Sequence, residues 1–184
     1  MSNILTCLEC NPVIAAIGDD KWQQATASPA QVLFYMSANL LTIAERVRQA
    51  HDTGKYILAH LDLAEGIGKD RTGIRFLAQC GVDGILSTKG LLIRHAREQG
   101  LFAVQRFFAV DSAGAEGVGD VFRSTNPNLM EIMPGVVTKV IKTCADSGIP
   151  VIAGGLLQTK AEVTEALSAG ATAISTGSPE LWYI

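Results

Sequence analysis

The chain has 184 residues, of which 48% are hydrophobic, and a formal net charge of −3. This composition can bury a sizeable core, which excludes a disordered chain, and the length favours a single domain over residues 1–184. The negative charge excludes a polycation, so any nucleic acid would have to bind a local basic patch.

No apolar run approaches the ~20 residues that span a bilayer, and no basic start is followed by a signal-type apolar core. We therefore expect a cytoplasmic protein without a membrane partner. Cys7 and Cys10 have the C-x-x-C spacing, but no second pair accompanies them and they precede the first predicted strand. We expect neither disulfides nor a bound metal.

Eight short apolar segments recur along the chain, and most are continuous rather than alternating. Such runs are typical of strands that are buried on both faces, and hence of a parallel sheet. The predicted strands are Val13–Ile17, Val32–Met36, Tyr56–Leu61, Gly84–Leu86, Phe102–Gln105, Met130–Met133, Val151–Ala153 and Ala173–Ser175.

Segments with apolar residues at helical spacing separate most of these strands. They cover Leu41–Asp52, Thr72–Gln79, Leu91–Gln99, Val137–Ser147 and Lys160–Ser168. Thr159 and Asp111 are predicted N-caps. Two segments are weaker, because Asp19–Ala27 is at best a very short helix and Ala113–Phe122 contains three glycines.

Eight strands that alternate with about seven helices, at a period near ~23 residues, predict a compact single-domain (β/α)8 barrel of the TIM type. The chain is short for that fold, so its connections must be minimal. An open doubly wound sheet is the alternative. Against it, no G-x-G-x-x-G turn follows the first strand, and the glycine pair Gly154-Gly155 follows a late one.

The seventh and eighth predicted strands end in small residues. Gly154 and Gly155 follow one strand, and Ser175, Thr176 and Gly177 end the other. Small residues leave backbone N–H groups accessible, and hydroxyls add further donors. Since barrels often bind phosphate after strands seven and eight, we predict a phosphate site here. Tight turns alone would explain the glycines equally well.

Polar and charged side chains lie at the ends of several other predicted strands. Burying a charge there costs free energy unless the charge is paired or has a function. The set is His60, Asp62, Glu65, Lys89, Gln105, Arg106 and Glu131. Lys89 and Arg106 can balance an anion, whereas Asp62, Gln105 and Glu131 can accept hydrogen bonds from hydroxyls. Each residue also has a structural alternative, such as a helix cap for Asp62 or a buried ion pair between Arg106 and Glu131. Together they favour a pocket for a small polyol phosphate, or an enzyme with a carboxylate base.

Six segments in this order resemble the glycerol-3-phosphate-responsive antiterminator family of bacterial regulators. They are HLDLAEG, DGILSTK, LFAVQRFF followed by DS, PNLMEIMPG, IPVIAGGL and GATAISTGS, and the opening NPVIAAI and closing ELW also fit. The resemblance implies a small barrel that needs no cofactor and has no known enzymatic activity. It also implies a sensor of glycerol 3-phosphate that acts on the leader of a glycerol-operon messenger RNA, preventing termination and stabilising the transcript.

By position, the resemblance places the phosphate near Gly154, Gly155, Ser175 and Thr176, and the glycerol end near the polar set. RNA would need a group of cations. Three groups are candidates: Lys89, Arg94, His95 and Arg97; Lys139 and Lys142; and Lys69, Arg71 and Arg75. Each could equally be a solvated helix face. RNA binding therefore rests on the resemblance alone.

Two other functions remain open at this stage. One is a small barrel enzyme that acts on a phosphorylated polyol or sugar, although short loops leave little to close over a substrate. The other is a general phosphate-binding barrel with a protein partner. A homo-oligomer is possible, but the sequence does not indicate one.

Overall fold

A computed structural model describes residues 2–109 and 112–184. The eight strands pair in parallel in chain order, and β8 pairs with β1, so the barrel is closed. The strands are β1 Val13–Ile17, β2 Val32–Tyr35, β3 Tyr56–His60, β4 Gly84–Ser87, β5 Phe102–Phe108, β6 Leu129–Met133, β7 Val151–Gly154 and β8 Ala173–Thr176. The prediction of a (β/α)8 barrel is confirmed.

In the described part of the chain, eight α-helices accompany the strands. They are α1 Ser2–Cys10, α2 Trp22–Ala27, α3 Ile43–Asp52, α4 Arg71–Gln79, α5 Gly90–Glu98, α6 Ser112–Thr125, α7 Thr138–Asp146 and α8 Lys160–Ser168. Thr159 caps α8 in a capping box with Glu162, as predicted. The other predicted cap, Asp111, lies outside the described residues. No helix in the described part of the chain has the length and apolar character to cross a bilayer.

Strand β5 is three residues longer than its apolar run predicts. The prediction ended the strand at Gln105, before a charged residue. In the structure β5 continues because Arg106, Phe107 and Phe108 pair with Glu131, Ile132 and Met133 of β6. An acidic partner on the neighbouring strand therefore keeps an arginine inside the sheet.

The apolar core has two layers. One lies between the sheet and the helices, and the other fills the interior of the barrel. Helix α1, which the sequence did not predict, contributes Ile4 and Leu8 to the interior layer, where they join Ile14, Phe102 and Leu129. Because the N-terminal end of the barrel is filled in this way, a ligand can enter the interior only from the C-terminal end of the strands.

Candidate functional site

Polar side chains form the last interior layer at the C-terminal end of the barrel. Arg106 on β5 donates from Nε to Oε2 of Glu131 on β6, at 2.6 Å. Ser175 on β8 donates from Oγ to the other carboxylate oxygen of Glu131, also at 2.6 Å. Glu131 is fully buried, with 0% exposure. The ion pair and the hydroxyl together stabilise a carboxylate that would otherwise be costly to bury.

Gly154 makes room for this arrangement. A Cβ atom at residue 154 would lie 2.6 Å from Oε1 of Glu131 and 2.7 Å from Oγ of Ser175. Any side chain there would therefore displace the hydrogen bond between the two residues. The sequence indicated a phosphate-binding role for Gly154, and the structure gives it this packing role.

His60 on β3 completes the polar layer. Its Nε2 lies 3.0 Å from Nη1 of Arg106. Burial, followed by the positive charge of Arg106, lowers the pKa of His60, so the neutral imidazole is favoured. Since a guanidinium can only donate, Nε2 accepts and the proton belongs on Nδ1. This Nδ1 is buried and has no hydrogen-bond partner among the described residues.

A cavity of about 440 Å³ opens above this layer, at the ends of β7 and β8. The residues of the polar layer that line it are Arg106, Glu131 and Ser175, and the loops contribute Gly155 and Gly177. The remaining lining residues are Ala16, Lys21, Met36, Met133, Leu156, Leu157, Gln158, Thr176 and Ser178. Such a volume, with a few convergent polar groups, suits a small ligand.

Lys21 is the cation that sequence reasoning missed. It ends the 3-10 turn Asp19–Lys21 that follows β1, and its Nζ donates to the carbonyl oxygen of Gly177 at 2.6 Å. Its position after a strand was a usable signal, because every loop that follows a strand lies on the same rim. Lys89, the predicted cation, is exposed beside α5 and does not line the cavity.

Three other predicted site residues brace loops outside the cavity. Gln105 is next to Arg106 on one strand, so the two side chains face opposite sides of the sheet. Its Nε2 donates to the carbonyl oxygen of Thr88 at 2.9 Å. Asp62 accepts hydrogen bonds from Oγ of Ser87 and from the backbone and hydroxyl of Thr88. Glu65 is exposed and accepts a hydrogen bond from Asn39 at 3.0 Å.

Thr176 borders the cavity, but its polar side chain is used internally. Its Oγ1 donates to the carbonyl oxygen of Leu157 at 3.2 Å and accepts from the backbone of Ser178. Trp182 donates to its carbonyl oxygen at 2.9 Å. Thr176 therefore fixes the shape of the loop after β8.

A larger cavity, of about 790 Å³, lies between α2 and α3 outside the barrel. Arg46 is the one cation among the described residues that line it. It is neutralised by Asp19 at 2.7 Å and lies over the ring of Trp22, 4.7 Å from the centroid. Because the charge of Arg46 is already balanced, this cavity attracts an anion less strongly than the cavity at the barrel mouth does.

Two of the three groups of predicted RNA-binding cations, those of α4 and α5 and the residues before them, lie on neighbouring helices. A salt bridge of 2.8 Å between Arg71 and Glu98 joins α4 to α5. Arg94 is exposed, whereas Arg97 donates to Asn128 at 2.9 Å. The third group lies on α7, where Lys139 is exposed and Lys142 pairs with Asp146.

A model of the glycerol-3-phosphate responsive antiterminator family matches residues 13–182. The chain belongs to this family. It is 35% identical to the uncharacterized protein YgcP of Escherichia coli K12, over 98% of this chain and 96% of that protein. Membership of this family indicates a regulatory protein.

Two solved structures with antiterminator names have the same fold. One is the glycerol uptake operon antiterminator regulatory protein of Listeria monocytogenes, with a TM-score of 0.87 and 28% identity over 94% of this chain and 95% of that one. The other is a glycerol uptake operon antiterminator-related protein of Thermotoga maritima, with a TM-score of 0.83 and 32% identity over 92% and 96%.

Aldolases share only the barrel. The deoxyribose phosphate aldolase of Aeropyrum pernix aligns with a TM-score of 0.70 at 11% identity, over 98% of this chain and 90% of that one. At this identity the likeness extends to the fold and not to an activity.

Proposed function

We propose that this antiterminator-family protein binds glycerol 3-phosphate at the mouth of its barrel. With the ligand bound, it acts on the leader messenger RNA of glycerol-utilisation operons, prevents termination and stabilises the transcript. The observation that carries the proposal is the cavity after β7 and β8, which two cations and two glycines line. It lies where barrels commonly hold phosphate.

The balance of charge explains how the phosphate would be held. Glu131 offsets the charge of Arg106, whereas Lys21 forms no salt bridge with a described carboxylate and donates only to a carbonyl oxygen. A phosphate carries about −1.5 to −2 charges at neutral pH, so it is a better acceptor than the Gly177 carbonyl. Lys21 then binds the phosphate, and the glycines at 155 and 177 let the backbone approach it closely.

The glycerol end would lie against the polar layer. Both oxygens of Glu131 already accept one hydrogen bond each, and each has a further lone pair. Glu131 can therefore accept a hydrogen bond from a ligand hydroxyl while it remains paired with Arg106. A site with the acceptor Glu131 at one end and the cation Lys21 at the other distinguishes glycerol 3-phosphate from glycerol and from inorganic phosphate.

An enzyme that acts on a phosphorylated polyol or sugar is the second candidate, because the fold is shared with aldolases. An aldolase that forms a Schiff base needs a lysine amine beside the substrate, and none of the eight strands carries a lysine. Among the described residues, Lys21 is the one lysine that lines the cavity. Turnover of a triose or pentose phosphate that Lys21→Met abolishes would favour the enzyme.

The surface formed by α4, α5 and the residues that precede them supports RNA binding. Residues 69–98 contain six basic and three acidic residues, whereas the rest of the chain contains nine basic and fifteen acidic ones. Four exposed cations there pair with no described carboxylate, namely Lys69, Arg75, Lys89 and Arg94. By contrast, the cations of α3 and α6 pair with acids. A basic surface on an acidic protein is what a phosphate backbone requires.

Calorimetric titration tests the effector half of the proposal. Glycerol 3-phosphate should bind and raise the midpoint of thermal unfolding, as a ligand of the native state must. Glycerol and inorganic phosphate should bind more weakly. The absence of binding by all three compounds would contradict the proposal.

Charge reversal tests the RNA half. Arg75→Glu/Arg94→Glu should weaken binding to a terminator-containing leader RNA and reduce its salt dependence. The matched control is Lys139→Glu/Lys160→Glu, which changes the net charge equally at two other exposed lysines. Equal losses in both variants would mean that binding follows net charge and that α4 and α5 are not the RNA surface.

A further inference from the structure

Exposed large hydrophobic side chains gather on the C-terminal rim of the barrel. Each strand from β2 to β7 has at least one such side chain at its C-terminal end or in the segment that follows it. The set is Leu40 and Leu41 after β2, Leu63 after β3, Leu91 after β4, Phe108 at the end of β5, Val136 after β6 and Leu156 after β7, with exposures of 38% to 89%. We call these seven residues the apolar rim. Among the described residues, only three other large hydrophobic side chains are comparably exposed, namely Leu5, Tyr183 and Ile184.

The backbone conformation and the exposure of Leu156 are both unfavourable within a single chain. Its φ of 61° lies in the left-handed region, and its side chain is 65% exposed. For a residue other than glycine this backbone conformation costs roughly 1–2 kcal/mol, and asparagine tolerates it better. The leucine side chain therefore carries a cost in the isolated barrel that packing within the chain does not offset. Leu156 also lines the cavity at the barrel mouth.

Hydrogen bonds brace three of the segments that hold the apolar rim, namely those after β2, β3 and β4. The loops after β2 and β3 form a parallel bridge at Asn39 and Glu65, and Leu40 donates its backbone N–H to the carbonyl of Glu65 at 3.0 Å. Asp62 fixes the loop after β4 through three hydrogen bonds. Because these three segments are braced, the apolar side chains that they carry lose little conformational entropy on binding.

We infer that the apolar rim is the contact surface for a second copy of this chain, which covers the mouth of the barrel. Exposed patches of this kind mark interaction sites. The seven residues together expose as much surface as about four fully exposed ones, and each partner of a standard interface buries ~800 Å².

The chemistry of the rim favours a second copy over RNA. Six of the seven side chains are aliphatic, whereas unpaired bases stack on aromatic rings and guanidinium planes. Exposed charges of both signs border the rim, with Glu65 on one loop and Lys89 on another. A two-fold contact places the same surface on both partners, so opposite charges within one rim can pair across the axis. If glycerol 3-phosphate binds as proposed, the second copy encloses it.

Sedimentation equilibrium of the full chain across the micromolar range tests the inference. The wild-type chain should associate, and Leu41→Asp/Leu156→Asn should raise the dissociation constant by about tenfold or more. The double variant should stay folded, because Leu41 is 89% exposed and asparagine suits the backbone at residue 156. The control, Leu5→Asp, changes an exposed hydrophobic residue of α1, at the N-terminal end of the barrel, and should associate like the wild type.

Three results would overturn the inference. A wild-type chain that stays monomeric throughout the range would do so, as would association that the rim variant leaves unchanged. The third is a rim variant that loses affinity for leader RNA under conditions where the wild type is monomeric, since RNA would then be the occupant. Failure of glycerol 3-phosphate to bind would contradict the proposed function and leave this inference standing.

Discussion

Arg106 and Glu131 face each other on neighbouring strands and form a buried ion pair, with 2.6 Å between Nε and Oε2. The side chains are 10% and 1% exposed. A pair so deeply buried adds little to stability relative to apolar residues, but breaking it leaves one charge buried without a partner.

The single substitution Arg106→Met should therefore lower the free energy of unfolding by about 3–5 kcal/mol. The double variant Arg106→Met/Glu131→Met should lose less, because no charge is left alone. Urea denaturation measures both. The control pair is Arg48 and Glu45, which are 68% and 53% exposed, and Arg48→Ala should change stability by less than about 1 kcal/mol. A double variant as unstable as Arg106→Met would contradict this account.

Lys21→Met should weaken binding of glycerol 3-phosphate while the fold is retained. The ammonium donates to the Gly177 carbonyl, and a hydrogen bond to a charged group is worth about 1.5–3 kcal/mol, or roughly 10- to 150-fold in affinity. Calorimetry measures the change. Lys89→Met is the matched control and should leave the affinity unaltered, because Lys89 does not line the cavity. A larger loss of affinity in Lys89→Met than in Lys21→Met would place the phosphate near Lys89 and away from the loop after β1.

Acid should destabilise the protein in part through His60. Burial and Arg106 lower its pKa in the folded state below the unfolded value near 6.5. The unfolded chain therefore takes up a proton that the folded chain does not, and stability falls as the pH drops from the unfolded pKa towards the folded one. His60→Gln should flatten this fall, measured by urea denaturation between about pH 7 and 5. An unchanged slope would show that His60 titrates equally in both states.

Asp62→Asn should destabilise the loop after β4 without weakening effector binding. Burial alone would raise the pKa of Asp62. The hydrogen bonds from Ser87 and Thr88 outweigh burial and lower this pKa below its usual value. An amide has one acceptor oxygen where the carboxylate has two, so one donor loses its partner at a cost of about 1–3 kcal/mol. Glu65→Gln, at an exposed carboxylate, should stay within about 0.5 kcal/mol. A large loss of glycerol 3-phosphate affinity in Asp62→Asn would place this residue at the ligand.

The sequence was sufficient to predict the barrel, because strands buried on both faces are continuous apolar runs and each is followed by a helical pattern or a turn. It was insufficient for α1, whose burial depends on the open end of a barrel that forms from residues far along the chain. Leu8 is 1% exposed only because the closed sheet surrounds it.

The candidate site was predicted in part. Strand order correctly brought Arg106, Glu131 and Ser175 to one end of the barrel. The alternation of side chains along a strand separates Gln105 from Arg106, and applying it would have excluded Gln105 from the interior. No local pattern could show that Gly154 leaves space for Glu131, because that contact joins two strands.

The measurement that tests the central claim most directly is the affinity for a terminator-containing leader RNA with and without glycerol 3-phosphate. Fluorescence anisotropy at fixed salt provides it, because phosphate contacts make the affinity depend strongly on ionic strength. We predict that glycerol 3-phosphate tightens RNA binding, by about 5- to 150-fold for a typical coupling between two sites. An RNA affinity that is the same with and without glycerol 3-phosphate, or no RNA binding at all, would contradict the claim.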